Sequence, residues 1–522
     1  MKKNANKSVF RSLIFISLVV FFLYCFPNST GSDNLAMVRI FEPDEAAVLP
    51  VLQKMVTPKD NFVDFIKGFV FYEYYFYGFP FFGLSALVLL PFQWLGQIDN
   101  TPLTMLALRQ IISVLPMLVA LLILVYMQDG FRTYRSILLY VFLLSVPAVI
   151  KNGLWLHPDG MVLLLSVLVL YFLWKDERRL GKNFYIASAL CGILTATKLV
   201  GAFFFLAVGV TVIWSLIEKK STWKKAILSS VKFIVVMAFF FILSNPFLLS
   251  KWGRIEYITT AKKQASFLSE GYGVVYGKGL RSLWPILKSC YGGAIFLIAT
   301  LFISIISIFN SKQPFLHTLI LSWFIPLTIY VFFFTHFKYQ YWLPVAIPLY
   351  SNWILIFPEE FRFQFKKQKI LSLILCSIFV VQFAFFTMSD VKILSSQMTR
   401  EENNASILFY EKVKVILGEK TQESLHVYFD YRLYVPDDNA WLKETSYDLL
   451  TYFFVQEKEF DVLLLQKQRI MDYLQEGIEG IDPKEFELSQ QFYRDANEGN
   501  LKGYELIYRD ETGLIFIKSD KH

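Results

Sequence analysis

The chain has 522 residues, of which 55% are hydrophobic and 18% aromatic, including 53 phenylalanines. Soluble proteins are usually about 45–50% apolar, and here the 18% of charged residues are clumped between long apolar runs, which excludes a soluble globular domain. The net charge of +8 comes from basic residues in short loops between those runs. This pattern is typical of membrane orientation and argues against nucleic-acid binding.

Apolar runs of roughly 17–24 residues, enough to cross a bilayer, recur over residues 1–389. They begin near Leu13, Ile111, Ile137, Gly160, Phe184, Gly201, Ala226, Gly292, His317, Tyr341 and Ile370. We therefore predict about eleven transmembrane helices. The first run follows basic residues but precedes no A-x-A cleavage motif, so we expect a retained anchor. The four cysteines lie in or beside apolar runs without CxxC spacing, which predicts buried thiols and neither disulfides nor a metal cluster.

The segment Phe79–Gly96 is also apolar, but it contains two prolines. If this segment does not cross the membrane, all the basic loops lie inside, as the positive-inside rule requires. If it crosses, every basic loop after the first lies outside. We therefore expect an interfacial or re-entrant segment on the outer face. The basic loops include Lys2 and Lys3, Arg132 and Arg135, Lys219 and Lys220, and Arg362 and Lys366.

With this topology, the outside holds a first loop over residues 27–108, a long loop at Leu248–Tyr291, and everything after Ser389. The composition changes after that residue. Strand-like runs (Leu425–Tyr434, Asp461–Leu465), a helical stretch (Gln466–Glu476) and a hairpin-like pair (Tyr504–Arg509, Gly513–Lys518) follow one another. We predict a transmembrane domain over residues 1–389 and an extracytoplasmic α/β domain over residues 390–522.

The predicted spans hold almost no charge in their middles, whereas ion-coupled transporters usually carry charged groups there. Ionisable residues collect instead where outer loops meet the bilayer. In the first outer loop, Asp44 and Glu45 follow Pro43. Adjacent carboxylates serve as a general base and its partner, or as ligands of a divalent cation. The same residues favour a helix N-terminus, and the two interpretations are compatible.

His157-Pro158-Asp159 opens another predicted span on the same side. Asp159 is either a helix cap or part of a site, and zinc is not expected because His157 has no second His or Cys nearby. Lys198 and Arg109 lie at outer ends of spans, against the positive-inside trend. A lipid phosphate would pair with such cations, although a lysine that snorkels to the interface explains Lys198 equally simply.

Another outer turn contains His336, Lys338, Tyr339 and Tyr341. The basic, glycine-rich segment Leu248–Tyr291 is interpreted as a mobile lid over an anionic headgroup, or as a surface patch for anionic lipids.

A series of short motifs in a fixed order covers roughly residues 10–350. They are Pro43-Asp44-Glu45, Tyr74–Pro80, Arg109, His157-Pro158-Asp159, Gly192 with Thr197-Lys198, Asn245-Pro246-Phe247, and Tyr341-Trp342-Leu343-Pro344. In this order the chain resembles the GT-C superfamily of integral-membrane glycosyltransferases. The resemblance is strongest to the family 39-like group of bacterial lipid A aminoarabinose transferases and protein O-mannosyltransferases.

The resemblance implies a sugar donor carried on a polyprenyl phosphate and places the outer-loop carboxylate, here Asp44, as base or acceptor-orienting group. Many relatives have Arg-Tyr where this chain has Gln340-Tyr341, so Lys338 is expected to supply that charge. Together with the residues singled out above, this predicts the catalytic residues Asp44, Glu45 and Asp159. The predicted donor-phosphate residues are Arg109, Lys198, Lys338, Tyr339 and Tyr341, and the predicted substrate residues are His157 and His336.

In the mechanism that these residues suggest, Asp44 takes the acceptor proton, the acceptor attacks the sugar C1, and cationic side chains meet the charge of the leaving phosphate. A single displacement would invert the anomeric centre. We expect a multi-pass inner-membrane enzyme with its site outside, and a lipid, glycan or protein acceptor. A transporter or flippase of a lipid-linked saccharide and a structural assembly factor are the alternatives.

Overall fold

The structure is a computed structural model that describes residues 6–272, 274–275, 277–357, 369–418, 423–445 and 458–519. Lys2, Lys3, Arg362 and Lys366 of the predicted basic loops lie outside these ranges. The chain divides into two compact units. The first comprises Met1–Asn28, Val51–Gln264 and Lys278–Gln397, and the second Ser29–Pro50, Ala265–Gly277 and Met398–His522. The predicted boundary at residue 390 instead lies within a helix, and the second unit also includes part of the first outer loop.

In the described part of residues 7–398, twenty α-helices follow one another. They are α1 (Lys7–Leu23), α2 (Cys25–Ser29), α3 (Leu35–Phe41), α4 (Pro43–Val56), α5 (Phe62–Val70), α6 (Phe79–Trp94), α7 (Thr101–Leu108), α8 (Leu115–Asp129), α9 (Arg135–Leu144), α10 (Pro147–Asn152), α11 (Asp159–Lys175), α12 (Lys182–Thr197), α13 (Phe205–Ile217), α14 (Trp223–Leu243), α15 (Lys251–Ser269), α16 (Leu280–Tyr291), α17 (Ala294–Asn310), α18 (Pro314–Phe333), α19 (Tyr339–Tyr350) and α20 (Lys369–Met398). A π-helical segment, Arg109–Val114, joins α7 to α8, and 3₁₀ turns occur at Leu199–Phe204, Pro246–Leu249 and Ser351–Ile356.

Six helical segments in the described ranges are long and apolar enough to cross a membrane, and a seventh is added if α16 and α17, bent by 76°, form one span. The predicted count of about eleven is therefore higher than the number of long spans. Several expected spans do form as helices but are short. For example, α11 has 17 residues and α12 has 16, so each is about 25 Å long, somewhat less than a ~30 Å hydrocarbon core.

The core of the first unit is built from large apolar side chains, with Trp323 and Trp353 fully buried. The ring of Phe204 stacks on that of Trp323 with 3.7 Å between centroids. Helix α11 is central, because it packs against α8, α12, α18 and α19. The residues that precede α11 are therefore surrounded by several helices of the same unit.

Two segments of uncertain topology are helical. Phe79–Gly96 contains α6, which buries one side of the helix, including Phe81, Phe82 and Leu89; its interfacial placement stays a prediction. The segment Leu248–Tyr291, expected to be a mobile loop, instead consists largely of α15 and α16, with a short hairpin of β1 (Gly271–Tyr272) and β2 (Val274–Val275) between them. Gly273 lies outside the described residues.

The C-terminal part of the second unit is an α/β sandwich, in agreement with the α/β domain predicted there. Its elements are α21 (Ala405–Leu417), β3 (His426–Phe429), β4 (Leu442–Glu444), β5 (Val462–Gln466), α22 (Lys467–Leu474), α23 (Pro483–Glu498), β6 (Tyr504–Arg509) and β7 (Gly513–Lys518). The strand order is β4-β3-β5-β7-β6, with β4, β3 and β5 parallel and the β6–β7 hairpin antiparallel.

Side chains of the sheet alternate between two cores because successive residues of a strand point to opposite faces. Val427 and Val462 pack with α21, whereas Tyr428 and Leu463 pack with α22 and α23. At the end of β3, the carboxylate of Asp430 accepts the amide of Gln466 (2.7 Å), which ties β3 to the end of β5. Complete burial raises the pKa of Asp430, an effect that the nearby guanidinium of Arg469 opposes.

Candidate functional site

The segment His157–Asp159 is held in place by the π-helical segment of the first unit. The hydroxyl of Ser113, in the π-helical segment, donates to the carbonyl of Trp155 (2.6 Å) and accepts a hydrogen bond from the amide of His157 (3.4 Å). The imidazole of His157 stacks on the Trp155 ring with centroids 4.2 Å apart. Because π-helical insertions often occur at functional sites, this arrangement fits a rigid scaffold for the start of α11.

Asp159 is the centre of a buried ionic cluster. Its side chain is 1% exposed, and its Oδ1 accepts a hydrogen bond from Nζ of Lys198 at 2.8 Å. Its Oδ2 pairs with Nδ1 of His157. A carboxylate removed from water is stable only when it is paired in this way, so the sequence-predicted residues His157, Asp159 and Lys198 form one group.

The hydrogen bonds continue from His157 to a residue that sequence analysis did not single out. Nε2 of His157 lies 2.9 Å from the hydroxyl of Tyr77. Which of these two atoms donates depends on the protonation of the imidazole. The signal for Tyr77 was present in the aromatic segment Tyr74–Pro80, but that segment contains several tyrosines and no pattern distinguishes this one.

Gly78 brings the Tyr77 segment against the end of α12. Its amide donates to the carbonyl of Thr197 (3.2 Å), and a Cβ at Gly78 would lie 1.5 Å from the carbonyl oxygen of Ala196. Only glycine fits so close an approach. The next amide, that of Phe79, donates to Oδ1 of Asn245 (3.1 Å), which is fully buried. The Tyr74–Pro80, Thr197-Lys198 and Asn245-Pro246-Phe247 motifs therefore meet in the first unit.

Lys198 is the cation of this cluster that reaches its surface. Its side chain is 18% exposed, and Nζ lies 4.9 Å from the centroid of the Tyr341 ring. An ammonium group has three N–H donors, and among the described residues its one hydrogen bond is to Asp159. The remaining donors are suited to an anionic oxygen, such as that of a phosphate.

The other predicted phosphate and substrate residues lie in the same unit. Arg109 is fully buried in the π-helical segment, where its Nη1 donates to the carbonyl of Asn28 (2.8 Å). Lys338 immediately precedes α19, which begins at Tyr339. The ring centroid of Tyr339 lies 5.6 Å from Nζ of Lys151. The ring centroid of His336, which is 6% exposed, lies 6.4 Å from that of Tyr341. Roles for these residues stay predictions.

Asp44 and Glu45 belong to the second unit. They occupy the first turn of α4, which begins at Pro43 as expected for a helix start. The carbonyl of Glu42 accepts the amides of Glu45 (3.0 Å) and Ala46 (3.2 Å), and Glu45 is completely buried. Within the described ranges, no group of three or more His, Cys, Asp or Glu residues is arranged to hold a metal ion. A divalent cation at Asp44 and Glu45 therefore stays a prediction.

No family model matches the sequence, and no curated protein matches it significantly. Two solved structures are similar over almost the whole chain. The crystal structure of ArnT from Cupriavidus metallidurans in the apo state is 12% identical, with 97% of this chain and 98% of that chain covered and a TM-score of 0.51. The structure of that ArnT bound to undecaprenyl phosphate is 12% identical, with 99% of each chain covered and a TM-score of 0.49. At this identity the likeness establishes the fold alone. The chain is a multi-pass membrane protein with the GT-C fold of ArnT, in agreement with the order of its motifs.

Proposed function

We propose that the chain is a glycosyltransferase that moves a sugar from a polyprenyl-phosphate carrier to an acceptor at the outer face of the inner membrane. The observation that carries the proposal is the ammonium of Lys198, partly exposed, held by a buried carboxylate and lying over an aromatic ring. The fold is consistent with this activity, and the sequence resemblance implies the donor class. The acceptor is a lipid, a glycan or a protein.

In the proposed reaction, the acceptor oxygen attacks C1 of the sugar while the bond from C1 to the phosphate oxygen breaks. Asp44 takes the proton of the acceptor, and the leaving polyprenyl phosphate takes the electron pair of the broken bond. Lys198 stabilises the charge that develops on this phosphate. Asp159 keeps the ammonium in place, and it pairs with His157, which in turn contacts Tyr77. Because one displacement occurs, the anomeric configuration inverts.

Charge distribution supports the proposed location. The basic loops lie on one side in the eleven-span topology, which assigns the loops that carry Asp44, His157 and Lys198 to the outer side. A donor anchored in the outer leaflet would present its phosphate at the ends of apolar helices, where Lys198 lies. Membrane lipids are the other expected partners, and no nucleic acid is expected.

Transport of a lipid-linked saccharide is the alternative from a different class. Transporters usually place charged groups along a path near the middle of the membrane. One such charge, Lys232, does lie in the middle of α14. Its side chain is exposed on the surface of the first unit and therefore does not line a path through it.

The proposal is tested by comparing the glycolipids and glycoproteins of a deletion strain and its parent by mass spectrometry. We expect one class of sugar-modified product to disappear and its polyprenyl-phosphate-linked sugar to accumulate. The wild-type chain should restore the product, and Lys198→Met should not. Lys220→Met is a matched control, because Lys220 also pairs with a carboxylate (Glu218, 2.7 Å) but lies outside the cluster. Unchanged glycosylation in the deletion strain would contradict the proposal.

A further inference from the structure

The carboxylates of α4 follow a bend between two helices of the second unit. Helix α3 ends at Phe41, and Glu42 has non-helical dihedral angles (φ −137°, ψ 81°) before α4 begins. The carbonyl of Glu42 accepts the first two amide hydrogen bonds of α4, from Glu45 and Ala46. The orientation of Glu42 therefore determines the direction in which Asp44 and Glu45 leave the bend.

One side chain from the C-terminal part of the same unit contacts this bend on several sides. The guanidinium of Arg400 lies 4.6 Å from the centroid of the Phe41 ring, and its Nη1 is 3.8 Å from Oε1 of Glu42. Its Nη2 donates to the carbonyl of Thr30. The side chain is 8% exposed, so these contacts are largely shielded from solvent.

The backbone around residue 31 is shaped to admit this arginine. Gly31 has a left-handed φ of +68°, and a Cβ there would lie 2.3 Å from Nε of Arg400. The adjacent Glu401 accepts the amide of Gly31. A planar guanidinium with several donors in fixed directions is suited to hold a carboxylate, a carbonyl and a ring at once, which a lysine does less well.

Helix α3 itself is attached to the α/β sandwich at separate points. Arg39 lies over the ring of Phe429, at the end of β3, with 4.6 Å to the centroid. Its Nη2 donates to the carbonyl of Val435 (3.5 Å), and Nδ2 of Asn34 donates to the hydroxyl of Tyr434 (3.1 Å). Arg400 thus acts on a helix pair that Asn34 and Arg39 also attach to the C-terminal domain.

We infer that Arg400 is a positioning residue, through which the C-terminal domain sets the orientation of the carboxylates at the start of α4. The inference rests on the proposed function of Asp44 and adds a role for the domain, which supplies no residue to the proposed reaction. A displacement of about 1 Å in a catalytic group costs on the order of 10²-fold in rate. Loss of the Arg400 contacts should therefore lower turnover and leave donor binding, which we assign to Lys198, unchanged.

The test compares full-length wild type, Arg400→Ala, Arg400→Lys and Arg494→Ala. Arg494 is an exposed arginine on α23 and serves as the matched control. Hydrogen exchange measured by mass spectrometry on the purified proteins reports the bend without any activity. We expect faster exchange of the amides of residues 42–48 in Arg400→Ala, an intermediate effect in Arg400→Lys, and no change in Arg494→Ala.

Transfer is measured in membranes of the deletion strain, with increasing amounts of a total lipid extract of that strain as the donor source. We expect the maximal rate of Arg400→Ala to fall about 10–100-fold, with the half-saturating amount of extract unchanged and partial recovery in Arg400→Lys. Wild-type exchange and rate in Arg400→Ala, together with an inactive Asp44→Asn, would overturn the inference and leave the proposed function intact. If Asp44→Asn transfers sugar normally, the proposed role of Asp44 is wrong, and the inference falls with it even if exchange changes. No transfer by the wild type would contradict the proposed function itself.

Discussion

Substitutions in the ion pair between Lys198 and Asp159 separate stability from function. The two side chains differ in their exposure to solvent, so removing one or the other should cost different amounts of unfolding free energy. Breaking a buried pair costs about 3–5 kcal/mol, since the remaining charge stays buried without its partner. Lys198→Met leaves a carboxylate that is 1% exposed with His157 as its remaining neighbour, so we expect a loss of about 3 kcal/mol. Asp159→Asn leaves an ammonium that is 18% exposed and reaches water, so we expect about 1–2 kcal/mol.

The double variant completes the test. Removing both partners leaves no unpaired charge. The double variant Asp159→Asn with Lys198→Met should therefore lose less unfolding free energy than the two single variants lose together, by about 1–3 kcal/mol. Relative free energies of unfolding are measured by denaturant titration of the purified proteins in detergent, followed by tryptophan fluorescence. Product formation in the deletion strain should stay absent in the double variant, because recovered stability does not restore the phosphate contact. Additive losses would refute the ion pair, and recovered product would refute the role of Lys198.

The remaining predictions concern the carboxylates Asp44 and Glu45, the predicted phosphate ligand Lys338 and the topology. Asp44→Asn caps a helix about as well as aspartate but accepts no proton, so it should insert normally and lose roughly 10²–10⁴-fold in transfer rate, measured by product mass spectrometry; Glu45→Gln should be milder, and near-normal transfer by Asp44→Asn would show a structural carboxylate. Lys338→Met should weaken use of the donor by about 1.5–3 kcal/mol, seen as a higher half-saturating amount of lipid extract; wild-type dependence would place the phosphate elsewhere. Single cysteines at Asn34 and Asn100, in a chain without the native four, should both react with an impermeant outside reagent, and protection of the Asn100 variant alone would show that Phe79–Gly96 crosses the membrane.

Local chemistry made parts of the fold predictable from sequence. The hairpin Tyr504–Arg509 and Gly513–Lys518 was predicted with its observed bounds, because Asp510 forms a turn through bonds to the nearby amides of Thr512 (2.8 Å) and Gly513 (3.0 Å). The strand predicted at Leu425–Tyr434 ends earlier, at Phe429. Its end depends on Asp430, whose carboxylate bonds to a residue of another strand, and such long-range pairing is not visible in a local pattern.

For the candidate site, too, the residues were predictable from local motifs but their contacts were not. The His157-Pro158-Asp159 motif, Lys198 and Tyr341 were separate candidates, and the structure brings all of them together. Lys198 was predicted to bind a lipid phosphate, and its pairing with Asp159 was not predicted, because Lys198 follows α12 whereas Asp159 begins α11. Tyr77 was missed for a related reason: its selection depends on the fit of Gly78 against α12, which only the packed helices define.

Reconstitution measures directly whether the sugar moves from polyprenyl phosphate to the acceptor. The purified chain is placed in proteoliposomes with the lipid extract of the deletion strain, and polyprenyl phosphate and sugar-linked products are quantified together by mass spectrometry after addition of the parent strain's acceptor fraction. We predict that polyprenyl phosphate is released in equal amount to the sugar joined to the acceptor, and that Lys198→Met releases neither. Movement of the intact lipid-linked sugar between leaflets, without release of polyprenyl phosphate, would show that the chain is a transporter and not a glycosyltransferase.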